Sequence, residues 1–542
     1  MQKFKWIIFA VIAFFLIKGF FLDGKRTQQV SIDPASADLV IVSGSENKEL
    51  QAIIDAWADG VGKKVAVVYK GSVDIYRSLQ QGAAMPCDAV WPANHLWIEL
   101  GDTQKVVKHE QSIMRSPVVL GLKKSIAQQL GWDQREVRIQ DILDAAEQQR
   151  FRLAMTSATQ SNSGASAYLG FLYAMAGYPD TLTMQHLQDP AVREKVKRLL
   201  STTNRSSGSS GWLKEALVEH PDRFDAMFNY EALIIEANHA LTKQGQEPLY
   251  AIYPQDGLSV ADSPLGFVDK GDKVKEELFL KLQQYLLSDK VQQQIEGMGR
   301  RTGLLGMTVA NPDKTIWNPD WGINTDKTIA SIPTPQQAVI QEAFNIYQTD
   351  LRKPSLTVWV LDVSGSMSGQ GIHDLKQAMT TLLDPVQASE HLLQPGAKDV
   401  TFIIPFNGSV QAVWKVEGND PAQLATVLNH VQSLQASGGT DLYEGLVTAL
   451  QQLRYYDAEG TLWNYLPAIV AMTDGRSDDT NLFAFQDALR ALPFAGDVPI
   501  HAIAFGDADE RQLEALTSQS VGRFFKVKDD LPGVLREAKG YN

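Results

Sequence analysis

The stretch Leu356-Thr357-Val358-Trp359-Val360-Leu361-Asp362-Val363-Ser364-Gly365-Ser366 passes from a continuous apolar run into a polar turn. A buried parallel strand reads as such a run, and in open α/β sheets ligands collect at the carboxyl ends of the strands. Asp362, Ser364 and Ser366 therefore stand where a strand meets a loop. Their alternate spacing lets one carboxylate and two hydroxyls face a common point, and oxygen donors of this kind suit a hard cation such as Mg²⁺. Two later segments share this character. Ser437-Gly438-Gly439-Thr440-Asp441 precedes a helical pattern, and Thr473-Asp474-Gly475 comes directly after the apolar strand pattern Ala468-Ile469-Val470-Ala471-Met472. Taken singly, Asp and Ser also serve as turn residues and helix caps. Three such segments at strand ends point to a shared site.

These three segments, in this order, resemble the von Willebrand factor A (VWA) family, whose metal-ion-dependent adhesion site (MIDAS) is written Asp-x-Ser-x-Ser, then Thr, then Asp. The resemblance implies that Asp362, Ser364, Ser366, Thr440 and Asp474 hold a divalent ion, Mg²⁺ or else Mn²⁺ or Ca²⁺. It implies direct coordination by the serines, with the aspartates acting partly through water. It also implies one open vertex, which takes a carboxylate from a protein partner. The metal is then a binding device and not a catalytic one.

The pattern after Ser355 alternates strands and helices: a helix over Ile372 to Leu383, strands over Val400 to Pro405 and Val410 to Val416, and a helix from Ala422 to Leu434. Helices from Leu442 to Leu453, Leu482 to Leu492, Glu510 to Thr517 and from Leu531 are interleaved with strands ending at Met472 and covering Ile500 to Phe505 and Gly522 to Val527. Such alternation predicts a doubly wound, Rossmann-like α/β sheet over residues 355–542. Residues 355–542 carry 12 basic and 23 acidic side chains, a net charge of −11 out of −13 for the whole chain. An acidic field of this kind attracts divalent cations and repels phosphate backbones, which argues against nucleic acid as a partner. It also serves plain solubility.

Trp6 to Leu22 is a 17-residue apolar stretch interrupted by Lys18 alone. It is long enough to cross about 30 Å of hydrocarbon, and residues 1–26 are expected to form a single N-terminal transmembrane helix in the inner membrane. A cleaved signal peptide is the alternative, with Ala35-Ser36-Ala37 as a cleavage-type site set far beyond the apolar stretch. Basic residues on both flanks leave the orientation open. The character of residues 38–310 leads to the expectation that the body lies in the periplasm or outside the cell.

From Asp38 a strand leads into Ser43-Gly44-Ser45-Glu46, the strand pattern Val65 to Tyr69 leads into Gly71-Ser72-Val73-Asp74, and Cys87-Asp88-Ala89-Val90-Trp91-Pro92 comes next. Ser116-Pro117-Val118-Val119-Leu120-Gly121, Asn229-Tyr230-Glu231-Ala232 and Tyr253-Pro254-Gln255-Asp256-Gly257 come later. This succession resembles the extracellular solute-binding proteins of ABC transporters, nearest to the molybdate and sulfate type. The resemblance implies a two-lobed, periplasmic-binding-protein-like α/β domain over residues 38–310. Its cleft would gather strand ends and helix N-termini, which suit a small solute or anion. Cleft candidates are Ser43, Gly44, Ser45, Gly71, Ser72, Thr159, Ser161, Ser163, Tyr230 and Glu231. Each Ser or Thr, taken alone, is equally a helix cap. Asn204 to Trp212, rich in Gly and Ser, reads as a mobile surface loop. Residues 311–354 read as a proline-marked linker that includes a helix from Ala338 to Thr349.

Cys87 is the sole cysteine, so no intramolecular disulfide exists, and its apolar context reads as a buried thiol. The nine histidines show no paired zinc spacing, and His373 and His501 read as surface or core residues. Neither a Ser-His-Asp set, a Gly-x-Ser-x-Gly elbow nor a phosphate-cradling Gly-x-x-x-x-Gly-Lys loop is present. The sequence therefore reads as a binding protein and not an enzyme. It is expected to be a membrane-anchored envelope protein that captures or senses a small ligand in its cleft and engages a protein partner through the metal. The alternative is the substrate-binding component of an ABC transporter with an accessory VWA domain.

Overall fold

The computed structural model describes residues 32–303, 309, 312–326, 329–474, 477–478, 480–506, 508–527 and 531–540. The apolar stretch Trp6 to Leu22, expected to be the transmembrane helix, lies outside these residues. Among the described residues no helix is long and apolar enough to cross a membrane.

Three mixed sheets carry the chain. The first contains β1 (Leu39–Gly44), β2 (Val65–Lys70), β3 (Ala89–Trp91), β4 (Val107–Ser112) and, from much later in the sequence, β11 (Pro264–Val268), in the order β2-β1-β3-β11-β4. β1 pairs in parallel with β2 and β3. All six of its residues are buried, because helices cover both faces: Ile54, Trp57 and Phe279 pack on one side, Ile75, Leu79 and Ile98 on the other. This two-sided burial is why Leu39 to Val42 is continuously apolar.

The second sheet contains β5 (Ser116–Lys123), β6 (Leu153–Thr156), β7 (Thr203–Ser207), β8 (Ala226–Tyr230), β9 (Leu249–Ile252) and β10 (Val260–Ala261). Its order is β10-β5-β8-β6-β7, with β9 also paired to β5. The chain crosses between the two lobes at residues 113–115 and again at 262–263, which gives a two-lobed body with a cleft between the sheets. The helix Gln337–Ile346 and its widened final turn, Tyr347–Leu351, pack on this body. Phe344 stacks on Trp97 with centroids 5.8 Å apart, and Tyr347 meets Tyr168 at 5.0 Å.

The third sheet contains β12 (Ser355–Asp362), β13 (Val400–Phe406), β14 (Trp414–Glu417), β15 (Leu466–Thr473), β16 (Ile500–Ala504) and β17 (Phe524–Lys526). The order β14-β13-β12-β15-β16-β17 is parallel except for the edge strand β14. β12 is the buried centre. Leu446, Leu450 and Phe485 cover one face, and Leu375, Met379 and Leu535 the other, so the sheet is doubly wound as the alternation predicts.

One expectation is overturned. The Gly/Ser-rich segment 204–212 is not a mobile surface loop: its first four residues lie in β7, paired in parallel with β6, and its last three open the helix Ser210–Glu219, capped by the Ser209 hydroxyl. Ser207 and Ser210 are buried. The third-sheet domain lies against this segment. Lys353 Nζ donates to Thr203 O at 2.9 Å, and Arg205 and Arg223 donate to the carbonyls of Asp497 and Gly496.

Candidate functional site

Asp362 closes β12 and Thr473 closes the neighbouring β15, with Leu361 opposite Met472 in register. The pairing brings two strand ends level, and Thr473 Oγ1 donates to Asp362 Oδ2 at 2.5 Å. Asp362 Oδ1 accepts from Ser364 N at 2.8 Å, which folds the turn back over the strand end. Ser364 Oγ lies 3.0 Å from Ser366 Oγ, and Ser366 Oγ donates to Asp474 Oδ1 at 2.8 Å. The first and third segments thus meet through side chains.

The middle segment joins through its backbone. Gly365 N donates to Gly438 O at 3.0 Å and Ser437 N to Val363 O at 2.9 Å. Gly438 has φ of +83°, and a Cβ there would stand 3.0 Å from the Asn407 side chain, so the loop needs glycine on both counts. Thr440 follows two residues later, and its carbonyl accepts from Asp478 N at 3.0 Å. Gly371 leaves room for Asp474, whose Oδ2 would lie 3.1 Å from a Cβ at that position.

Asp362 is fully buried, and burial pushes its carboxyl above the ordinary range, with the Asp474 carboxylate adding to the rise. Hydrogen bonds from Thr473 and Ser364 oppose this. Two acids lie together with hydroxyls, and a divalent cation would relieve their repulsion. The donor types are hard oxygens throughout and fit Mg²⁺, Mn²⁺ or Ca²⁺. Among the described residues no three His, Cys, Asp or Glu side chains gather as a metal site, so any ion here depends on the hydroxyls. His501 is a core residue: it is buried, and its Nδ1 accepts from Arg523 N at 3.0 Å.

The cleft candidates divide into groups. Ser161, Ser163 and Ser210 form one hydroxyl cluster, with Oγ separations of 2.8 Å and 2.7 Å from Ser210, and Ser163 also meets Thr156 at 2.8 Å. Ser45, from the first lobe, accepts from Ser209 Oγ at 2.9 Å and from Gly211 N at 3.4 Å, both on the second. Gly71 approaches so closely that a Cβ there would lie 2.4 Å from Gln160 O across the cleft. The lobes are therefore closed on each other, and hydroxyls expected to hold a solute bond one another.

Other candidates face elsewhere. Ser43 accepts from Asn47 Nδ2 at 3.0 Å and Ser72 from Ala93 N at 3.2 Å, both within the first lobe. Gly44 packs under the Glu46 carboxylate. Thr159 donates to Gln348 Oε1 at 3.3 Å, toward the linker helix. Tyr230 accepts from Asn162 Nδ2 at 3.0 Å behind the hydroxyl cluster. Glu231 stands apart, fully buried, with its carboxylate held by Arg301 at 2.6 Å and 2.7 Å. An acid so enclosed needs a charged partner, and Arg301 supplies it.

Three further residues stand at the cleft: Gln160, within the polar run Thr156 to Gly164 that the sequence offers as a cleft candidate, and Asp74 and Glu46, which were not nominated from sequence. Asp74, in the first turn of the helix Ser72–Leu79, receives the Arg536 guanidinium, with Nε at 3.0 Å. Gln160 Nε2 donates to the Arg536 carbonyl. Glu46 has a buried Oε1 with no hydrogen-bond partner, and burial lifts its carboxyl to about 7.

Comparison with known proteins agrees with this architecture. Residues 39–301 match the family described as bacterial extracellular solute-binding protein, and residues 358–533 match the von Willebrand factor type A domain. The chain therefore carries an extracellular solute-binding domain followed by a VWA domain: it is a binding protein with a VWA module. The matched families are binding families and not enzyme families. Inter-alpha-trypsin inhibitor heavy chain H1 of Bos taurus is 27% identical over 183 residues, 32% of this chain and 18% of that protein. The uncharacterized protein sll0103 of Synechocystis sp. is 27% identical over 204 residues, 37% of this chain and 44% of that one. The chain thus spans less than half the length of either relative. Among solved structures, the ferric binding protein of Campylobacter jejuni aligns with a TM-score of 0.41 at 14% identity, covering 57% of this chain and 98% of that one. The periplasmic molybdate-binding protein of Azotobacter vinelandii gives 0.33 at 15% identity, covering 48% and 98%. A VWA protein of Catenulispora acidiphila gives 0.29 at 16%, covering 35% and 42%.

Proposed function

We propose that the chain is a membrane-anchored protein of the cell envelope that engages a carboxylate-bearing protein partner through a divalent ion on the VWA domain, and captures or senses a small ligand in the two-lobed domain. Residues 1–26 would provide the anchor, with the body in the periplasm or outside the cell. The observation that carries this reading is the convergence of three distant loops, joined by the bond from Ser366 Oγ to Asp474 Oδ1 at 2.8 Å and that from Gly365 N to Gly438 O at 3.0 Å. Asp362, Ser364, Ser366, Thr440 and Asp474 would supply the oxygen ligands. A partner's carboxylate would complete the shell, which suits a metal that keeps exchangeable positions. In this reading the metal serves binding.

Calorimetric titration with MgCl₂ tests this. The native protein should bind one ion, and Asp362→Ala combined with Ser364→Ala should remove the heat signal. At free Mg²⁺ about 100-fold above Kd, bound metal should add about 2.7 kcal/mol of stability to the native protein and none to the variant. Binding that survives the double substitution would refute the assignment. Protease treatment of spheroplasts tests the topology, since an outward-facing body should be digested.

A further inference from the structure

The helix Leu531–Gly540 belongs by packing to the VWA domain, where Leu535 and Ala538 sit in the core beside β16 and β17. Its opposite face carries Arg536, which is only 5% exposed although it contributes nothing to that core. The side chain leaves the VWA domain altogether. Its guanidinium reaches Asp74 on the first lobe, itself 8% exposed, through Nε at 3.0 Å and through Nη2. Its own carbonyl accepts from Gln160 Nε2 on the second lobe. A single VWA residue thus bonds to both lobes, at the place where Gly71 and Gln160 close across the cleft.

We infer that Arg536 is a clasp: the cleft of the two-lobed domain is a receptor for this guanidinium, supplied by the chain's own VWA domain, and its occupancy holds the lobes shut. The group that receives the guanidinium is a carboxylate of the first lobe. Asp74 presents it there from the first turn of its helix, where the guanidinium is held through Nε and Nη2. The hydroxyls an anion would use are already engaged, Ser209 with Ser45 across the cleft at 2.9 Å and Ser210 with Ser161 within the second lobe at 2.8 Å. A cavity of about 170 Å³ remains between the lobes and the helix Leu531–Gly540, lined by Asp74, Gln160 and Arg536 and also by Lys48, Lys70 and Arg523. Hinged two-lobed domains exchange open and closed forms, and a bond to both lobes biases that exchange toward closure. These contacts are independent of the metal, so failure of the Mg²⁺ titration would leave the clasp standing, and the reverse.

The test uses the full chain with Gln81→Cys and Lys243→Cys, exposed positions on the first and second lobes, carrying spin labels; the native Cys87 is buried. Arg536→Ala should shift the inter-lobe distances to longer values. Ethylguanidinium at millimolar concentration should return them to the short distances, while sulfate and molybdate at the same concentration should not. The exchanged pair, Asp74→Arg with Arg536→Asp, should stay closed, and it decides the matter if Arg536→Ala fails to fold. Unchanged distances in Arg536→Ala, closure by the oxyanions in place of ethylguanidinium, or an open exchanged pair would each overturn the inference.

Discussion

At the scale of single residues, buried acids mark the two regions of interest. Asp362 and Asp474 meet over hydroxyls, and Glu46 lies over Gly44 with an unbonded oxygen. The Glu46 carboxyl rises from its ordinary 4.5 to about 7 through burial. The folded protein therefore keeps a proton that the unfolded chain releases near pH 4.5, and stability falls as the pH climbs from there through 7. Glu46→Gln should remove this loss. Urea denaturation should show the variant more stable than the native protein at pH 8 by about 2 kcal/mol, a figure reduced for residual exposure, with the difference gone near pH 4.5. The sequence makes Asp362, Ser364 and Ser366 legible as a set because their geometry is local: a strand end fixes where alternate side chains stand. Glu231 was misleading for the opposite reason. Its neighbour Tyr230 ends a strand behind the hydroxyl cluster, but its own carboxylate turns to Arg301, 70 positions away, and no local pattern indicates that partner.

At the scale of elements, apolar periodicity located the strands and helices of the VWA domain closely. The helix expected from Glu510 to Thr517 has those bounds, and the strand expected to end at Met472 runs one residue further. The edge strand was harder. Val410 to Val416 reads as apolar enough to pair, yet β14 begins at Trp414, since an edge strand has one partner only and its register rests on β13. The segment 204–212 escaped altogether, because Ser and Gly carry little strand preference and β7 is stabilised by pairing with β6 and by the domain packed over it. The closest approach of the lobes also belongs to this scale. Gly71→Ala would drive a Cβ to within 2.4 Å of Gln160 O, a backbone atom with little freedom to retreat. The variant should lose about 1–3 kcal/mol in denaturant titrations and widen the inter-lobe distance, whereas alanine at Gly60, in the helix Gln51–Val61 where a Cβ meets nothing within 4 Å, should leave the distance unchanged and cost no stability.

At the scale of the whole molecule, the two domains share a continuous polar seam. Arg205 is half-buried, and desolvation lowers its guanidinium to about 10 while it donates to Asp497 O. Arg223 adds a contact to Gly496 O and lies 3.4 Å from the Asp497 carboxylate. Differential scanning calorimetry should therefore record one joint transition for the native chain. Arg205→Ala with Arg223→Ala should divide it into two, and a single undivided peak in that variant would show the seam to be incidental. None of this was readable from the sequence, which separates the domains at a proline-marked linker and gives no sign that they meet. The ordering of the chain carries one last implication. Asp74 and Arg536 stand 462 positions apart, so during synthesis both lobes are complete long before the residue that fastens them exists. Every newly made copy passes through an interval in which its cleft is unlocked, and whatever enters then must be expelled or kept when the last helix docks.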